Sequence, residues 1–365
     1  MTTMTHSPDR PATTARYWHT IDDGRVQCDL CPRLCRLREG QRGFCFVRQN
    51  VDGFLVLTTY GRSSGFCVDP IEKKPLNHVM PGQSVLSFGT AGCNLGCKFC
   101  QNWEISTART LDPLQEQASP TQIAEAALRI GSRGVAYTYN DPIIFTEYAI
   151  DVAEACHDRG LINVAVTAGY VTDEARRDFF SVMDAANVDL KSFNPDFYRR
   201  VCGGQLDVVL DTLMYIAHET TCWLEITTLV VPGLNDSDAE IHELSAWITG
   251  QLGPDTPLHL TAFHPDNRMR DIPRTPLSTL KNARRIAMSE GLKFVYTGNV
   301  VDPEGSTTCC PGCALPVITR RGYDVTGYDL DSDGRCTHCN TPIPGRWDEQ
   351  VGHFGNRRIP VDLTP

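Results

Sequence analysis

The sequence has no apolar segment long enough to span a bilayer, and residues 1–15 are polar and rich in threonine rather than hydrophobic. Basic residues are also in deficit: 34 Lys and Arg stand against 44 Asp and Glu, which gives a formal net charge of −10. Non-specific binding to nucleic acid needs clustered Lys and Arg that neutralise phosphates, so nucleic acid is an open but disfavoured partner. We expect a cytoplasmic protein with no membrane partner.

The sequence also lacks a Ser–His–Asp arrangement, a pair of carboxylates for acid–base work and a glycine-rich phosphate loop. We therefore assign no side chain a catalytic role of its own. What the chain has in abundance is cysteine, sixteen in 365 residues. Without a secretion signal, cysteines at short spacings are typical of metal ligands rather than disulfides.

Three cysteines, Cys93, Cys97 and Cys100, lie in a loop after the apolar run at residues 85–88. Their thiolates converge if the backbone wraps around one point. Three thiolates are one short of the set that holds a cubane iron–sulfur cluster, and the shortfall leaves one iron open to a small molecule. A structural zinc knuckle or three unrelated thiols are the alternatives. A zinc knuckle needs a second Cys-x2-Cys pair, and none lies beside this loop.

A second cysteine group lies near the N-terminus. It supplies four soft ligands within eighteen positions: Cys28, Cys31, Cys35 and Cys45. Their spacing fits either zinc or a second [4Fe-4S] cluster, so the identity of the metal stays open.

A third group consists of two Cys-x2-Cys pairs near the other end of the chain. The pairs are Cys310 with Cys313, and Cys336 with Cys339. Two such pairs separated by about twenty residues are typical of a zinc ribbon or rubredoxin-like module. Cys309 makes the assignment ambiguous, and His338 is a competing ligand, but Cys310 gives the matching spacing. Metal binding would supply the folding energy of so small a unit.

From residue 85 onwards, short β-rich apolar runs alternate with helical patterns. The predicted strands are Val85–Gly89, Val135–Tyr139, Asn163–Thr167, Val188–Leu190, Leu224–Val231, Leu258–Phe263 and Phe294–Tyr296; the predicted helices are Thr121–Ile130, Ile144–Arg159, Asp173–Met183, Val208–Glu219, Asp238–Gln251 and Leu277–Glu290. Such alternation implies parallel strands and right-handed crossovers. Six or seven units predict an α/β protein with a partial (β/α) barrel, whose chemistry lies at the C-terminal ends of the strands.

The barrel is predicted to span residues 85–303, with small cysteine-rich metal-binding modules on its N- and C-terminal sides. The other predicted regions are a disordered tail (1–16), an N-terminal cysteine-rich region with a lead-in to the barrel (17–84), the ribbon module (304–347) and a loosely ordered C-terminal tail (348–365). The charged run Asp69–Pro75 in the lead-in is bounded by prolines. Its chemistry predicts a solvated turn.

Polar side chains follow several predicted strands. Asn140 and Asp141 follow the second strand and are suited to receiving an ammonium group, although an Asn-Asp-Pro turn that merely begins the next helix is the alternative. Asp189 and Lys191 end the fourth strand and alternate to the same face. An internal ion pair is the alternative, but burying both charges without a ligand is costly, so we expect them to face a ligand inside the barrel.

Several motifs together resemble the radical S-adenosylmethionine (SAM) superfamily, in the branch related to pyruvate formate-lyase activating enzyme. They are Cys93–Trp103, Tyr137–Pro142, Asp189–Lys191, Pro232–Asp236 and Tyr296–Val300. Within that branch, Asp69–Pro75, the Gln-Asn-Trp after the third cysteine and the distal cysteine pairs most resemble the AmmeMemoRadiSam-system radical SAM proteins. The similarity covers roughly residues 20–345.

The resemblance implies that the three loop cysteines hold a [4Fe-4S] cluster whose unique iron binds SAM. It further implies that Asn140 and Asp141 contact the SAM amino group, that Asp189 and Lys191 form a SAM-contacting pair, and that Asn299 lies near the adenosine. The family motif usually has Glu where this chain has Asp141. Such enzymes take an electron from a flavodoxin- or ferredoxin-type donor, cleave SAM to methionine and a 5′-deoxyadenosyl radical, and remove a hydrogen atom from a substrate.

The substrate is open. One hypothesis is an activase for a glycyl-radical enzyme, although the Gly-Gly-Glu-Pro run of such activases is absent here. A second is RNA modification, which the zinc ribbon favours and the acidic charge disfavours. A third is a small-molecule or protein substrate handled with partners of the AmmeMemoRadiSam system. From a different class, the chain would be a non-catalytic iron–sulfur and zinc scaffold.

Overall fold

The computed structural model describes residues 14–110, 114, 116–348 and 350–363. In chain order the strands are β1 (Trp18–Thr20), β2 (Val26–Cys28), β3 (Arg36–Leu37), β4 (Arg48–Val51), β5 (Phe54–Leu57), β6 (Arg62–Ser63), β7 (Phe66–Pro70), β8 (Ser84–Phe88), β9 (Glu116–Gln117), β10 (Gly134–Tyr137), β11 (Ile162–Thr167), β12 (Ala185–Asp189), β13 (Trp223–Val230), β14 (Leu258–Ala262), β15 (Val295–Gly298), β16 (Thr308–Cys309), β17 (Pro316–Arg321), β18 (Asp324–Tyr328) and β19 (Ile359–Val361).

Helices lie between the strands of the central sheet. They are α1 (Trp103–Ser106), α2 (Pro120–Arg129), α3 (Thr146–His157), α4 (Asp173–Ser181), α5 (Pro195–Phe197), α6 (Leu206–Glu219), α7 (Asp238–Gln251) and α8 (Leu277–Ser289). Short 3-10 helices cover Ile71–Lys73 and Pro142–Phe145, and a π-helical turn covers Tyr198–Cys202. None of the helices in the described part of the chain combines the length and apolar character that crossing a membrane requires.

The central sheet has nine strands in the order β15-β14-β13-β12-β11-β10-β8-β7-β19. The seven from β15 to β8 are parallel, as the strand–helix alternation predicts, and form a partial barrel. Two further strands were not predicted: β7 runs antiparallel to β8, and β19 runs antiparallel to β7. Every residue of β10 and β14 is buried, which explains why apolar residues predominate in both strands.

Local signals fix where the helices begin. At the start of α2 the Ser119 side chain accepts a hydrogen bond from the Gln122 N–H, and the Gln122 side chain accepts one from the Ser119 N–H. The predicted helix from Ile144 instead begins as the 3-10 turn Pro142–Phe145, because the Asp141 carboxylate caps the Ile143 N–H and Pro142 takes the first helical position. The Asp141 side chain therefore both ends a loop and begins a helix.

The N-terminal cysteine region packs directly on the barrel. Arg48 is fully buried, and its guanidinium donates to the Glu147 carboxylate at 2.5 Å and to the Ile144 carbonyl at 3.2 Å. Residues 1–13 of the predicted tail lie outside the described residues, whereas the Ala15 N–H donates to the Leu55 carbonyl at 2.7 Å. One continuous apolar core joins this region to the barrel.

The C-terminal region adds a three-stranded sheet, β16-β17-β18, with a small core of its own. The prediction of a loosely ordered end at 348–365 is wrong for the described part, since Ile359–Val361 forms β19 and pairs with β7. The exposed edge of β7 offers unpaired backbone groups, and the returning chain satisfies them. The last strand thus closes one edge of the barrel sheet.

Candidate active site at the mouth of the barrel

The cysteine loop follows β8 and ends at α1, so it lies at the C-terminal end of the strands. Cys93, Cys97 and Cys100 all line one cavity of about 400 Å³. The backbone N–H of Leu95 approaches the Cys93 sulfur at 3.5 Å. The Cys97 thiol contacts Cys202, a fourth buried thiol behind the loop, and this hydrogen bond together with burial raises the pKa of Cys97 well above its usual value.

Asn140 holds this loop in position. Its Oδ1 accepts from the Thr90 N–H at 2.9 Å, and its Nδ2 donates to the Gly92 carbonyl at 2.9 Å and to Thr90 Oγ1 at 3.3 Å. A Cβ on Gly89 would lie 2.5 Å from Asn140 Oδ1, so only glycine fits there. Both amide hydrogens of Asn140 are occupied, and only the oxygen can take a further partner.

Asp141 is buried and accepts three hydrogen bonds from the protein. Its Oδ1 accepts from the Ile143 N–H at 3.1 Å and from Thr167 Oγ1 at 2.9 Å, and its Oδ2 accepts from the Ala168 N–H at 2.9 Å. Burial raises the pKa of Asp141 against these donors. A carboxylate has about four acceptor positions, so one position remains on Oδ2.

Asp189 and Lys191 face the same cavity from the end of β12. Lys191 Nζ donates to Asp189 Oδ2 at 2.7 Å and lies 5.8 Å from the centroid of the Phe99 ring. Burial disfavours the charged ammonium, but Asp189 and Cys97 outweigh burial and hold the pKa of Lys191 above its usual value. The two side chains therefore form an ion pair that lines the cavity beside the cysteine loop.

Asn299 also lines the cavity, in a turn after β15. Its backbone is left-handed, with φ of 58°, and its Nδ2 donates to the Ala262 carbonyl at 3.1 Å. The structure thus brings together all the strand-end residues that the sequence analysis singled out, and sets them around the three loop cysteines.

The charged run Asp69–Pro75 is not a solvated turn, and that prediction is wrong. Asp69 and Lys74 are buried, and Asp69 accepts from the ammonium groups of Lys73 and Lys74 and from the Tyr139 hydroxyl, each at 2.7 Å. The prolines do mark the bounds of the run, but its charged side chains pair with one another in the protein interior instead of being exposed to water.

The lining of the cavity includes buried polar atoms, here called its floor, that have no hydrogen-bond partner among the described residues. They are Glu72 Oε2, Arg320 Nε and Thr227 Oγ1. Arg320 reaches in from β17, and its Nε lies 3.7 Å from Glu72 Oε1. Burial raises the pKa of Glu72 to about 7, although Arg320 lowers it. Unpaired buried polar atoms are costly, so this floor is suited to a polar ligand.

The two Cys-x2-Cys pairs of the C-terminal module come together. Their four ligands have sulfur atoms within 4.8 Å of one another: Cys310, Cys313, Cys336 and Cys339. Cys309 is outside this set, and His338 Nε2 lies 4.0 Å from an Asp329 oxygen instead. The set can hold one metal ion, and the structure removes the ambiguity between Cys309 and Cys310.

Comparison with known proteins identifies the family. The model of the radical SAM superfamily matches residues 88–245. An uncharacterized protein of Methanocaldococcus jannaschii is 39% identical over 330 residues, which are 90% of this chain and 98% of that protein. The chain belongs to the radical SAM superfamily. Members of this family use a [4Fe-4S] cluster and SAM.

Two other similarities of this radical SAM chain are partial. The 4-hydroxyphenylacetate decarboxylase activating enzyme of Clostridioides difficile is 22% identical over 163 residues, 42% of this chain and 51% of that enzyme. The crystal structure of a radical SAM methyltransferase from Sphaerobacter thermophilus aligns with a TM-score of 0.48 at 17% identity, over 60% of this chain and 66% of the methyltransferase chain.

The residues of this radical SAM chain fit the family's cofactors. The loop supplies three thiols to one cavity wall and leaves a fourth position of a cubane without a loop cysteine. The same cavity is lined by the carboxylates of Asp141 and Asp189 and by the ammonium group of Lys191, which suit a zwitterionic ligand. Sequence reasoning missed Cys202, whose only signal was an isolated cysteine, and the cavity floor at Glu72 and Arg320, which no local motif links.

We predict that Cys310→Ser removes one bound metal ion per chain and that Cys309→Ser does not. The two sulfurs are adjacent in sequence, but only Cys310 belongs to the four-sulfur set. Metal content of the purified variants, measured by mass spectrometry, tests this. Loss of the ion from both variants, or from neither, would contradict the assignment.

We predict that Glu72→Gln changes how stability depends on pH. Because the folded pKa of Glu72 is raised to about 7, the wild-type chain loses stability relative to the variant as pH rises from about 5 to about 8, by at most about 3 kcal/mol. Urea unfolding across this pH range measures the difference. Glu304→Gln is the control, since the Glu304 side chain is 75% exposed. Parallel pH profiles for wild type and Glu72→Gln would refute the prediction.

Proposed function

We propose that this chain is a radical SAM enzyme of the AmmeMemoRadiSam-like branch. In this proposal the [4Fe-4S] ligands are Cys93, Cys97 and Cys100, and the SAM contacts are Asn140, Asp141, Asp189, Lys191 and Asn299. The observation that carries it is convergence, because all eight residues line one cavity although they come from four separate segments of the chain. A non-catalytic scaffold would have no need of the polar set opposite the thiols.

When bound and reduced, the cluster supplies the electron that cleaves SAM into methionine and a 5′-deoxyadenosyl radical, which removes hydrogen from the substrate. The protein's residues bind and orient. The remaining acceptor position of Asp141 and the oxygen of Asn140 receive the SAM ammonium group. The Asp189–Lys191 pair supplies one fixed negative and one fixed positive charge, and Asn299 contacts the adenosine side.

The cavity beyond the SAM contacts favours a polar substrate. Glu72 Oε2, Arg320 Nε and Thr227 Oγ1 have no hydrogen-bond partner among the described residues and supply an acceptor, a donor and a hydroxyl. A glycyl-radical activase is the second candidate, supported by the activating enzyme of C. difficile that the chain partly resembles. The formal charge of −10 argues against an RNA substrate.

Zinc is our proposal for the C-terminal module. A tetrahedral ion with Zn–S bonds of about 2.3 Å has sulfurs about 3.8 Å apart. The Cys310–Cys339 and Cys313–Cys336 sulfur pairs lie at 3.4 and 3.8 Å.

The proposed domains remain 17–84, 85–303 and 304–347. Strands β7 and β19 belong to the barrel sheet although they lie outside residues 85–303. We propose a cytoplasmic location, where sixteen free thiols stay reduced.

We expect anaerobically reconstituted protein with SAM and dithionite to produce 5′-deoxyadenosine, and Cys97→Ala to produce none. The remaining two loop thiolates are too few to hold a cubane cluster. Chromatography of the nucleoside product is the measurement. Cys222→Ala, which removes a buried thiol far from the cavity wall, is the control and should retain product formation. Absence of product from wild type with an intact cluster would refute the enzyme proposal.

We also expect Asp189→Asn to weaken SAM binding by about tenfold or more, because the proposed charge-assisted hydrogen bond between the Asp189 carboxylate and SAM is lost. Asp184→Asn is a matched control, since Asp184 directly precedes β12 at the opposite end of the same strand. Equilibrium dialysis with labelled SAM measures both dissociation constants. Equal effects of the two substitutions would mean that Asp189 acts only through the strand.

A further inference from the structure

The N-terminal cysteines form a second thiol-lined cavity, separate from the barrel. It is small and enclosed, and its sulfur-bearing residues are Cys28, Cys31, Cys35 and Cys45. The Cys28 N–H donates to the Cys35 carbonyl at 2.9 Å, which folds the first three cysteines around one point. Gly43 completes the wall, with its Cβ position 3.7 Å from the Cys35 sulfur and 3.8 Å from the Cys45 sulfur.

The Cys35 sulfur accepts a backbone N–H, from Phe44, at 3.5 Å. Neutral thiols in an apolar core have no need of such a donor, whereas metal-bound thiolates do. The Leu95 N–H at Cys93 in the barrel loop repeats the pattern.

The distances between the sulfur atoms distinguish a site for one metal ion from a site for an iron–sulfur cluster. Across the described chain, only the C-terminal set brings three or more such ligand atoms within 4.8 Å of one another. A single zinc ion needs that close approach, whereas a cubane attaches its thiolates to different iron atoms at different corners. The N-terminal set resembles the wider barrel-loop set of the radical SAM site and not the C-terminal set.

The cysteine loop lies between the two cavities. Cys93 and Leu95 line the barrel cavity, and Asn94 between them lines the N-terminal cavity. Arg33 Nε donates to the Asn94 carbonyl and its Nη2 to the Gly203 carbonyl, both at 2.5 Å. A Cβ on Gly92 would lie 1.9 Å from the Cys45 carbonyl oxygen, so the two loops touch at their backbones.

The outer side of the N-terminal cavity faces solvent with an unusual surface. Leu34 and Phe44 are large apolar side chains that are 45% and 40% exposed, and they flank Cys35. Arg36 and Arg38, close in sequence to Leu34, are exposed, as is Glu39, so this segment is locally basic in a chain that is acidic as a whole. Exposed apolar side chains beside a locally basic segment fit a partner with an acidic rim around an apolar redox centre.

We propose that Cys28, Cys31, Cys35 and Cys45 hold a second iron–sulfur cluster that passes the reducing electron to the barrel cluster. The proposal rests on the proposed radical SAM function. The electron donor is an acidic one-electron carrier of the flavodoxin or ferredoxin type, docking over Leu34 and Phe44. The carrier loses one electron, the second cluster gains it and then gives it to the barrel cluster, and no bond or proton is transferred.

Iron counting tests the site independently of activity. The triple variant Cys93→Ala, Cys97→Ala, Cys100→Ala should retain about four iron and four sulfide per chain. Its reduced electron paramagnetic resonance signal should not change when SAM is added. Adding Cys28→Ala and Cys45→Ala to the triple variant should remove that iron, whereas adding Cys222→Ala should not. A triple variant without iron but with a second zinc ion would overturn the proposal.

The electron route is tested by comparing two reductants. Dithionite is small enough to reduce the barrel cluster directly, whereas a reduced flavodoxin must dock. The Cys28→Ala, Cys45→Ala double variant should lose flavodoxin-driven formation of 5′-deoxyadenosine relative to dithionite-driven formation. Its SAM-sensitive resonance signal verifies that the barrel cluster and fold persist. An unchanged ratio would overturn the relay, and failure of wild type with dithionite would instead refute the proposed function.

Leu34→Glu and Phe44→Glu refine the same test without removing a ligand. Both should slow reduction by flavodoxin and leave the iron content at the wild-type value, because they add negative charge to the docking surface. Leu315→Glu, at an exposed apolar position in the C-terminal module, is the matched control. Equal reduction rates for all three variants would overturn the docking surface.

Discussion

The position of the cysteine loop depends on the side-chain amide of Asn140. Its three hydrogen bonds to Thr90 and Gly92 attach the loop to the end of β10, so a strand of the barrel sets where the first thiol lies. Asn140 needs the space that Gly89 leaves open, and Gly92 needs the space beside Cys45. Two glycines and one amide therefore determine where the loop begins, and backbone hydrogen bonds from Gly96 to Cys202 and from Lys98 to Val201 hold its later part.

The interior of the barrel holds charge only in compensated sets. Burial alone would raise the pKa of Asp69, but Lys74, Lys73 and Tyr139 hold it at about 2. Burial lowers the pKa of Lys74 to about 8 against the same carboxylate. Removing one member would leave a buried charge without a partner, which costs more than the pair contributes. Lys73 and Tyr139 of this set line the cavity, so the set makes that part of the cavity wall rigid.

The sequence predicts the barrel well because its strands are buried on both faces and are rich in apolar and β-branched residues. The seven predicted strands lie within a few residues of those observed, and Asp238–Gln251 has the predicted bounds. Strands β7 and β19 escaped prediction because an antiparallel edge strand depends on distant pairing. The burial of Asp69–Pro75 was not predicted, because a segment whose charges pair with one another in the interior has the same amino-acid composition as a segment exposed to water. Clustering of the strand-end residues was predictable, but their hydrogen-bond occupancy was not.

The C-terminal module is part of the cavity rather than an appendage. Cys310 and Cys336 share one small core with Phe294 and Tyr296, and Tyr296 lines the cavity from β15. Arg320 of the same module donates to the Asn77 carbonyl at 2.7 Å, beneath the cavity floor. Metal binding that orders the module therefore also positions Arg320 and Tyr296. This coupling explains a metal ribbon in a radical SAM protein without requiring a nucleic-acid partner.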